Sequence, residues 1–195
     1  MGYPGKSRKM YARPRTPWQA ERIAGEVEVV KAYGLRNKRE LWKAQAVLRK
    51  YRQASRKMLA AVSVGQAPPM AEAILARLKK LGMLKEEGDL DAILSMKVSD
   101  VLERRLQTQV YRQGLANSLK QSRQFIVHGH IKVAGKTITS PSYLVPLKEE
   151  GCIVFSENSQ LSKEDHPERA IVPKEKKPEK KPEEKKGRRE GPRRR

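Results

Sequence analysis

SDVLERRLQTQVYRQG (residues 99–114) and NSLKQSRQFIVHGHIKVAGKTI (residues 117–138) are the stretches from which this chain is read. The first carries a cap signal at Ser99, acids Asp100 and Glu103 in its first turn, and Gly114 where a helix would stop. Val101, Leu102, Leu106 and Val110 fall on one face of such a helix. Arg104 and Arg105 are consecutive, so at about 100° per residue they cannot both point into that core. At least one guanidinium is left for solvent or phosphate.

In the second stretch Ser118 and Gln121 have capping-box spacing, and Leu119, Ser122 and Ile126 make a narrow inner face. Lys120, Arg123 and Gln124 lie off that face. After Gly129 the period changes to alternation, with Ile131 and Val133 pointing one way and His130 and Lys132 the other. Ala134 and Gly135 occupy a tight turn, with Thr137 and Ile138 on the return strand. The polar side of this helix, helix, hairpin unit collects Arg105, Arg123, His128, His130, Lys132 and Lys136 with almost no acid among them. Such a patch calls for a polyanion, because Arg grips phosphate through paired hydrogen bonds and Lys supplies a mobile charge.

LERRLQTQVYRQGLANSLKQSRQFIVHGHIKVAGKTITSPSYLV resembles the RNA-binding module of the ribosomal small-subunit protein four family, in wording close to its archaeal and eukaryotic branch. KAYGLRNKRELWKAQAVLRKYR resembles the amino-terminal part of the same family, so the resemblance spans roughly residues 13–155. It implies a structural protein of the cytoplasmic small subunit that binds small-subunit ribosomal RNA directly and organises a junction of several helices early in assembly. It also implies proximity to small-subunit proteins three and five and to the channel by which messenger RNA enters, with influence on decoding accuracy. The expected contacts are Arg104, Arg105, Ser118, Gln121, Arg123, Gln124, His128, His130, Lys132, Ser142 and Tyr143. Of these, Ser118 could serve only as a cap, Tyr143 only as core, and one of the adjacent arginines could pair with Glu103. Some bacterial members hold zinc through cysteines near the amino end; those cysteines are absent here, and the metal is not carried over.

Charge agrees. The chain of 195 residues has 43 Lys and Arg against 22 Asp and Glu, a net charge of +21. Without residues 173–195 the remainder still carries +14, so the body is basic by itself. No apolar run approaches 20 residues, so no membrane span or membrane partner is expected. The start of the chain lacks the apolar region of a secretory signal. One cysteine, Cys152, excludes an intramolecular disulfide and any site of two thiolates, and a reducing compartment follows. Beside Ile153 and Val154 its thiol reads as packed. His128 and His130, two apart, invite a metal reading, but no third ligand accompanies them. No cofactor is expected.

The expected class is α+β: a mainly helical domain at 17–98, the module of two short helices on a small hairpin sheet at 99–155, and a linker at 156–172. Basic termini at 1–16 and 173–195 have nothing to bury and read as disordered in isolation. Helices are expected from Trp18 to Tyr33, with Ile23, Val27 and Val30 inward, and from Asn37, where Glu40 completes a capping box. In the second, Leu41, Ala44, Leu48, Tyr51, Ser55, Met58 and Val62 keep helical spacing for six turns, with Arg49, Lys50, Arg52, Arg56 and Lys57 on the outer faces. A third helix runs from Ala71 to Leu81, a short one lies within Leu84–Met96, and short strands are expected at Pro141–Val145 and Cys152–Phe155.

Outside the module, Lys6, Arg8, Lys9, Arg13, Arg15, Arg49, Arg52 and Arg56 are the expected RNA contacts, the first five interleaved with Tyr3, Pro4, Tyr11 and Pro14. There is no phosphate-cradling glycine loop and no supported Ser, His, Asp set, so an enzyme is not expected. An RNA-modifying enzyme such as a pseudouridine synthase would need a catalytic domain that residues 1–98, read as helical, do not supply. A ribosome-assembly factor that binds precursor RNA transiently is the alternative within the family.

Overall fold

The computed structural model describes residues 10–65, 70–85, 88–163 and 166. Helix α1 (Ala20–Ala32) is followed by Gly34 in a left-handed conformation and by α2 (Lys38–Ser63). The Asn37 side chain accepts the Glu40 N–H at 3.2 Å, as the cap pattern requires. Leu41, Ala44, Leu48, Ser55 and Met58 of α2 are buried, whereas Val62 is exposed, so the inner stripe is about one turn shorter than its sequence pattern. Against it pack α3 (Met70–Lys80), α4 (Leu90–Ser95) and α5 (Val98–Glu103). Leu78, Ile93 and Leu102 are fully buried there, each contributing about 1.5–3 kcal/mol by leaving water. On α1 the buried residue is Glu26, while the expected face of Ile23, Val27 and Val30 is only half-buried. Its carboxylate accepts from the Trp42 indole at 3.1 Å and pairs with Arg22 and Lys38.

The helix expected to run unbroken toward Gly114 is broken at Arg104 and Arg105, giving α5 and α6 (Leu106–Arg112). The break moves the chain from one core to another. Val101 and Leu102 belong to the first cluster, Leu106 and Val110 to a second with Ala116, Phe125, Ile126, Ile131, Val133, Val145, Ile153 and Leu161. Residues 141–145 produce it: Leu106 N–H donates to Tyr143 O at 2.8 Å, and Val145 N–H to Arg104 O at 2.9 Å. The freed carbonyls of α5 are met by side chains, Thr108 Oγ1 to Leu102 O and Gln109 Nε2 to Glu103 O. Nor is Ser99 the cap. The Asp100 carboxylate accepts the Lys97 N–H at 2.7 Å, and α5 begins one residue before Ser99.

In the second lobe α7 (Leu119–Val127) starts at Ser118, whose hydroxyl accepts from Gln121 N–H, while Gln121 Oε1 accepts from Asn117 N–H. Strand β1 (Ile131–Val133) pairs antiparallel with β2 (Lys136–Thr137) through the Ala134–Gly135 turn, both turn residues having positive φ. The expected strand at 141–145 is reduced to one bridge, Arg105 to Leu144, followed by a short helix, α8 (Leu147–Glu150). Strand β3 (Ile153–Phe155) closes the sheet in the order β2-β1-β3, with Ile131 opposite Phe155. Cys152 is exposed: its neighbour Ile153 is the side chain that turns inward. The first part of the expected linker is also structured, for Leu161 in a 3₁₀ turn (Gln160–Ser162) completes the second core. Of the segments read as disordered, 1–16 and 173–195, residues 1–9 and 173–195 lie outside the described residues, as do 167–172 of the expected linker.

The lobes meet at Gly34. A Cβ there would stand 2.6 Å from Leu119 Cβ, and its carbonyl accepts from Gln107 Nε2 at 3.0 Å. Gly34→Ala should therefore cost about 1–3 kcal/mol, from the left-handed backbone and the close approach together, read as a lower denaturation midpoint. Ala134→Asn, suited to a turn with two positive φ angles, should raise that midpoint.

Candidate RNA interface

The adjacent arginines are both taken out of solvent. Arg104 donates from Nη2 to Val145 O at 2.8 Å and from Nη1 to Glu150 at 2.9 Å. Arg105 pairs with Glu40 at 2.8 Å, and Arg123 reaches the other oxygen of the same carboxylate at 2.9 Å. The expectation of a free guanidinium at 104 or 105 is corrected, because the break in the helix turns both side chains inward. Glu103 instead pairs with Arg112. Glu40 leaves its capping-box role for this bridge. Burial pushes its carboxyl up, but the hydrogen bonds and charges of Arg123 and Arg105 outweigh that and hold it below the ordinary value. Burial also lowers the Arg105 guanidinium, which Glu40 opposes. Gln107, 1% exposed, completes the joint: its Nε2 donates to Gly34 O and to Leu119 O, and its carbonyl accepts from the Ser122 hydroxyl.

Other expected contacts have structural work as well. Ser118 and Gln121 are engaged in the cap of α7, and the Tyr143 hydroxyl donates to Glu149 at 2.7 Å. What faces outward on the second lobe is Gln124, His128 and Ser142, with His130 and Lys132 half-buried. Lys132 pairs at 3.2 Å with Glu157, which is largely exposed, an ion pair of little strength in water. His128 closes α7 as its C-cap, not as a strand residue, and its ring centroid lies 6.2 Å from that of His130. No group of three or more His, Cys, Asp or Glu among the described residues could hold a metal ion.

A second basic surface lies on the first lobe. Arg49, Arg52 and Arg56, one turn apart on α2, line a furrow with Gln45 and Gln53. The furrow continues past Arg49 and Gln45 into a groove lined by Arg13, Arg15, Arg22 and Trp42. Arg52 is anchored by a hydrogen bond to Met96 O. Arg13, Arg15, Arg49 and Arg56 are exposed, so five of the arginines expected from sequence come together here. Tyr11 packs on Trp42 with ring centroids 5.9 Å apart, which lays the amino-terminal segment along the furrow. Lys6, Arg8 and Lys9 lie outside the described residues.

The S4 domain model matches residues 104–150, beginning at the arginine where the helix breaks. A small ribosomal subunit protein uS4 from Halobacterium salinarum is 50% identical over 171 residues, covering 87% of this chain and 98% of the relative. The uS4 of Methanococcoides burtonii is 47% identical, covering 87% of this chain and 94% of its own. The uS4 of Haloarcula marismortui is 51% identical, covering 85% and 96%. The chain belongs to the uS4 family. These relatives are named as ribosomal proteins, a structural and non-enzymatic family. The matches extend well beyond the S4 domain, so the α2 furrow is as much part of the family framework as the α7–β1 face.

Sequence reasoning missed Arg22, and it missed Asn158 and Gln160, which border the histidines in a cleft. Arg22 carried a signal in its helical position after Pro17, but the other two sat in a stretch read as linker. The bridge makes acid sensitivity predictable. Since folding holds the Glu40 carboxyl below its unfolded value of about 4.3, its stabilisation is complete above that pH and is lost as pH falls through the folded value. Glu40→Gln should cost about 3 kcal/mol at pH 7 by stranding two guanidinium groups. The difference from the parent in urea denaturation should narrow as pH approaches 3.

Proposed function

We propose that this chain is a structural constituent of the small ribosomal subunit that holds ribosomal RNA directly through two basic surfaces, one on each lobe. The observation that carries this reading is the α2 furrow. Six arginines, at 13, 15, 22, 49, 52 and 56, line it and its continuation, while the acids Glu40, Glu103 and Glu150 are paired with arginines elsewhere. Among the residues of that lining only Glu26 is acidic, and it is buried under Trp42, Arg22 and Lys38. Packed RNA helices repel one another, and a rigid body that offers cations to two of them offsets that repulsion and sets the angle between them. A-form RNA is gripped largely through phosphates and 2′-hydroxyls, which suits arginine rows and exposed amides.

The finer reading is that the RNA is a multi-helix junction of small-subunit ribosomal RNA bound early in assembly. Proximity to small-subunit proteins three and five, and to incoming messenger RNA with an effect on accuracy, belongs to the same proposal and rests on family membership. Gln124, His128, His130, Lys132 and Ser142 form the second contact surface. For the buried Arg104 and Arg105, and for the half-buried Ser118, Gln121, Arg123 and Tyr143, the proposed part is to shape that surface.

Sedimentation of cell extract at low and high salt should leave the chain with mature small subunits after the wash; confinement to precursor particles would identify an assembly factor instead. With purified RNA, Arg49→Ala and Arg56→Ala should each weaken binding at all sequences. Each should also reduce the slope of log affinity against log salt by about 1.

A further inference from the structure

The second lobe contains a cleft of about 440 Å³ between the end of α7 and the turn that follows β3. Its chemistry differs from that of the furrow. None of its described lining residues is Lys, Arg, Asp or Glu; the walls are the rings of Phe125, His128, His130 and His166 and the amides of Gln124, Asn158 and Gln160, with Ser159 and Leu161 between them. His128 and His130 stand 6.2 Å apart between centroids at a mutual tilt of 37°, and Phe125 meets His130 edge-on at 6.3 Å. The His130 ring is held by Ser159, with Oγ 2.8 Å from Nδ1, and Ser159 in turn accepts from Leu161 N–H. At the rim, Gln124, His128, Asn158 and Gln160 are exposed.

A phosphate would find neither Lys nor Arg among these walls. A flat heteroaromatic group finds π faces to stack on and amides that each offer both donors and acceptors. In a duplex those faces are already stacked on neighbouring bases, so only an unpaired nucleotide can present them. The volume lies within the range ordinary for sites that take small organic groups, about 300–1,000 Å³.

We propose that this cleft takes one unpaired nucleobase of the bound RNA, stacked on the His128 ring and read by the amides of Gln124, Asn158 and Gln160. The proposal rests on the reading of the chain as an RNA-binding ribosomal protein and adds what the α7 end recognises. Phosphate contacts along the furrow hold RNA of any sequence, whereas a base held here sets where along the RNA the protein sits.

The test uses the full-length chain and three kinds of RNA hairpin at one salt concentration: uninterrupted, with one bulged nucleotide (each of the four bases in turn), and with an abasic bulge. At least one bulged base should bind about tenfold tighter than both the uninterrupted and abasic hairpins, a gain typical of one stacked base. The exposed pair His128→Ala/Gln160→Ala should erase that gain, so that the variant binds bulged, abasic and uninterrupted hairpins alike, with the thermal unfolding curve unchanged. Arg49→Ala/Arg56→Ala should weaken all three and keep the gain. Equal binding of bulged, abasic and uninterrupted hairpins by the parent chain would overturn the cleft assignment alone, as would a His128→Ala/Gln160→Ala variant that retains the gain. Failure to bind any of them would overturn the RNA-binding reading itself.

Discussion

One carboxylate, that of Glu40, is shared by two arginines from the opposite lobe, and the relative placement of the α2 furrow and the α7–β1 face depends on it. Arg105 is buried beside the half-buried Glu40, and a guanidinium in that position without a counter-ion is strongly unfavourable. Sliding one lobe over the other would strand it. Apolar contact alone would tolerate several orientations, whereas the hydrogen bonds that link Glu40 with Arg105 and Arg123, and Gln107 with Arg123 and Gly34, form in one. Gly34 belongs to the same joint, because any side chain there would hold the lobes apart.

The interior use of acids explains how the charge of +21 is deployed. Glu40 is held by Arg105 and Arg123, Glu103 by Arg112, Glu150 by Arg104, and Glu149 accepts from Tyr143. Glu26, the one carboxylate among the described residues lining the furrow and its continuation, is buried under Trp42 and Lys38. Glu40 and Glu150 thus join segments 46 to 83 positions apart, and the α2 arginines face solvent with few neutralising partners. A surface of that kind draws in a polyanion and becomes less effective as salt screens it.

Much of this was legible locally. The caps at Asn37 and Ser118, the helix stop at Gly114, the alternation through Ile131 and Val133, and the Ala134–Gly135 turn were all readable because each depends on neighbours within a few residues. The arginine rows of α2 and of the amino-terminal segment were readable too, as composition without geometry. Arg104 and Arg105 were misjudged because the carbonyls and carboxylates that receive them come from residues 145, 150 and 40. Cys152 was misjudged because the inward register of β3 is decided by pairing with β1.

By itself, then, the sequence determined the element types, the helix stops, the basic character of the body and the family, since these follow from short-range backbone preferences, periodicity and wording. Only the tertiary structure decided which cations remain exposed to solvent. A charged side chain takes its partner from whatever the fold brings within about 4 Å, and here those partners lie 46 and 65 positions away along the chain. The helix break at Arg104–Arg105, the two cores it separates and the cleft beside His128 all come from segments that meet only once the chain has folded.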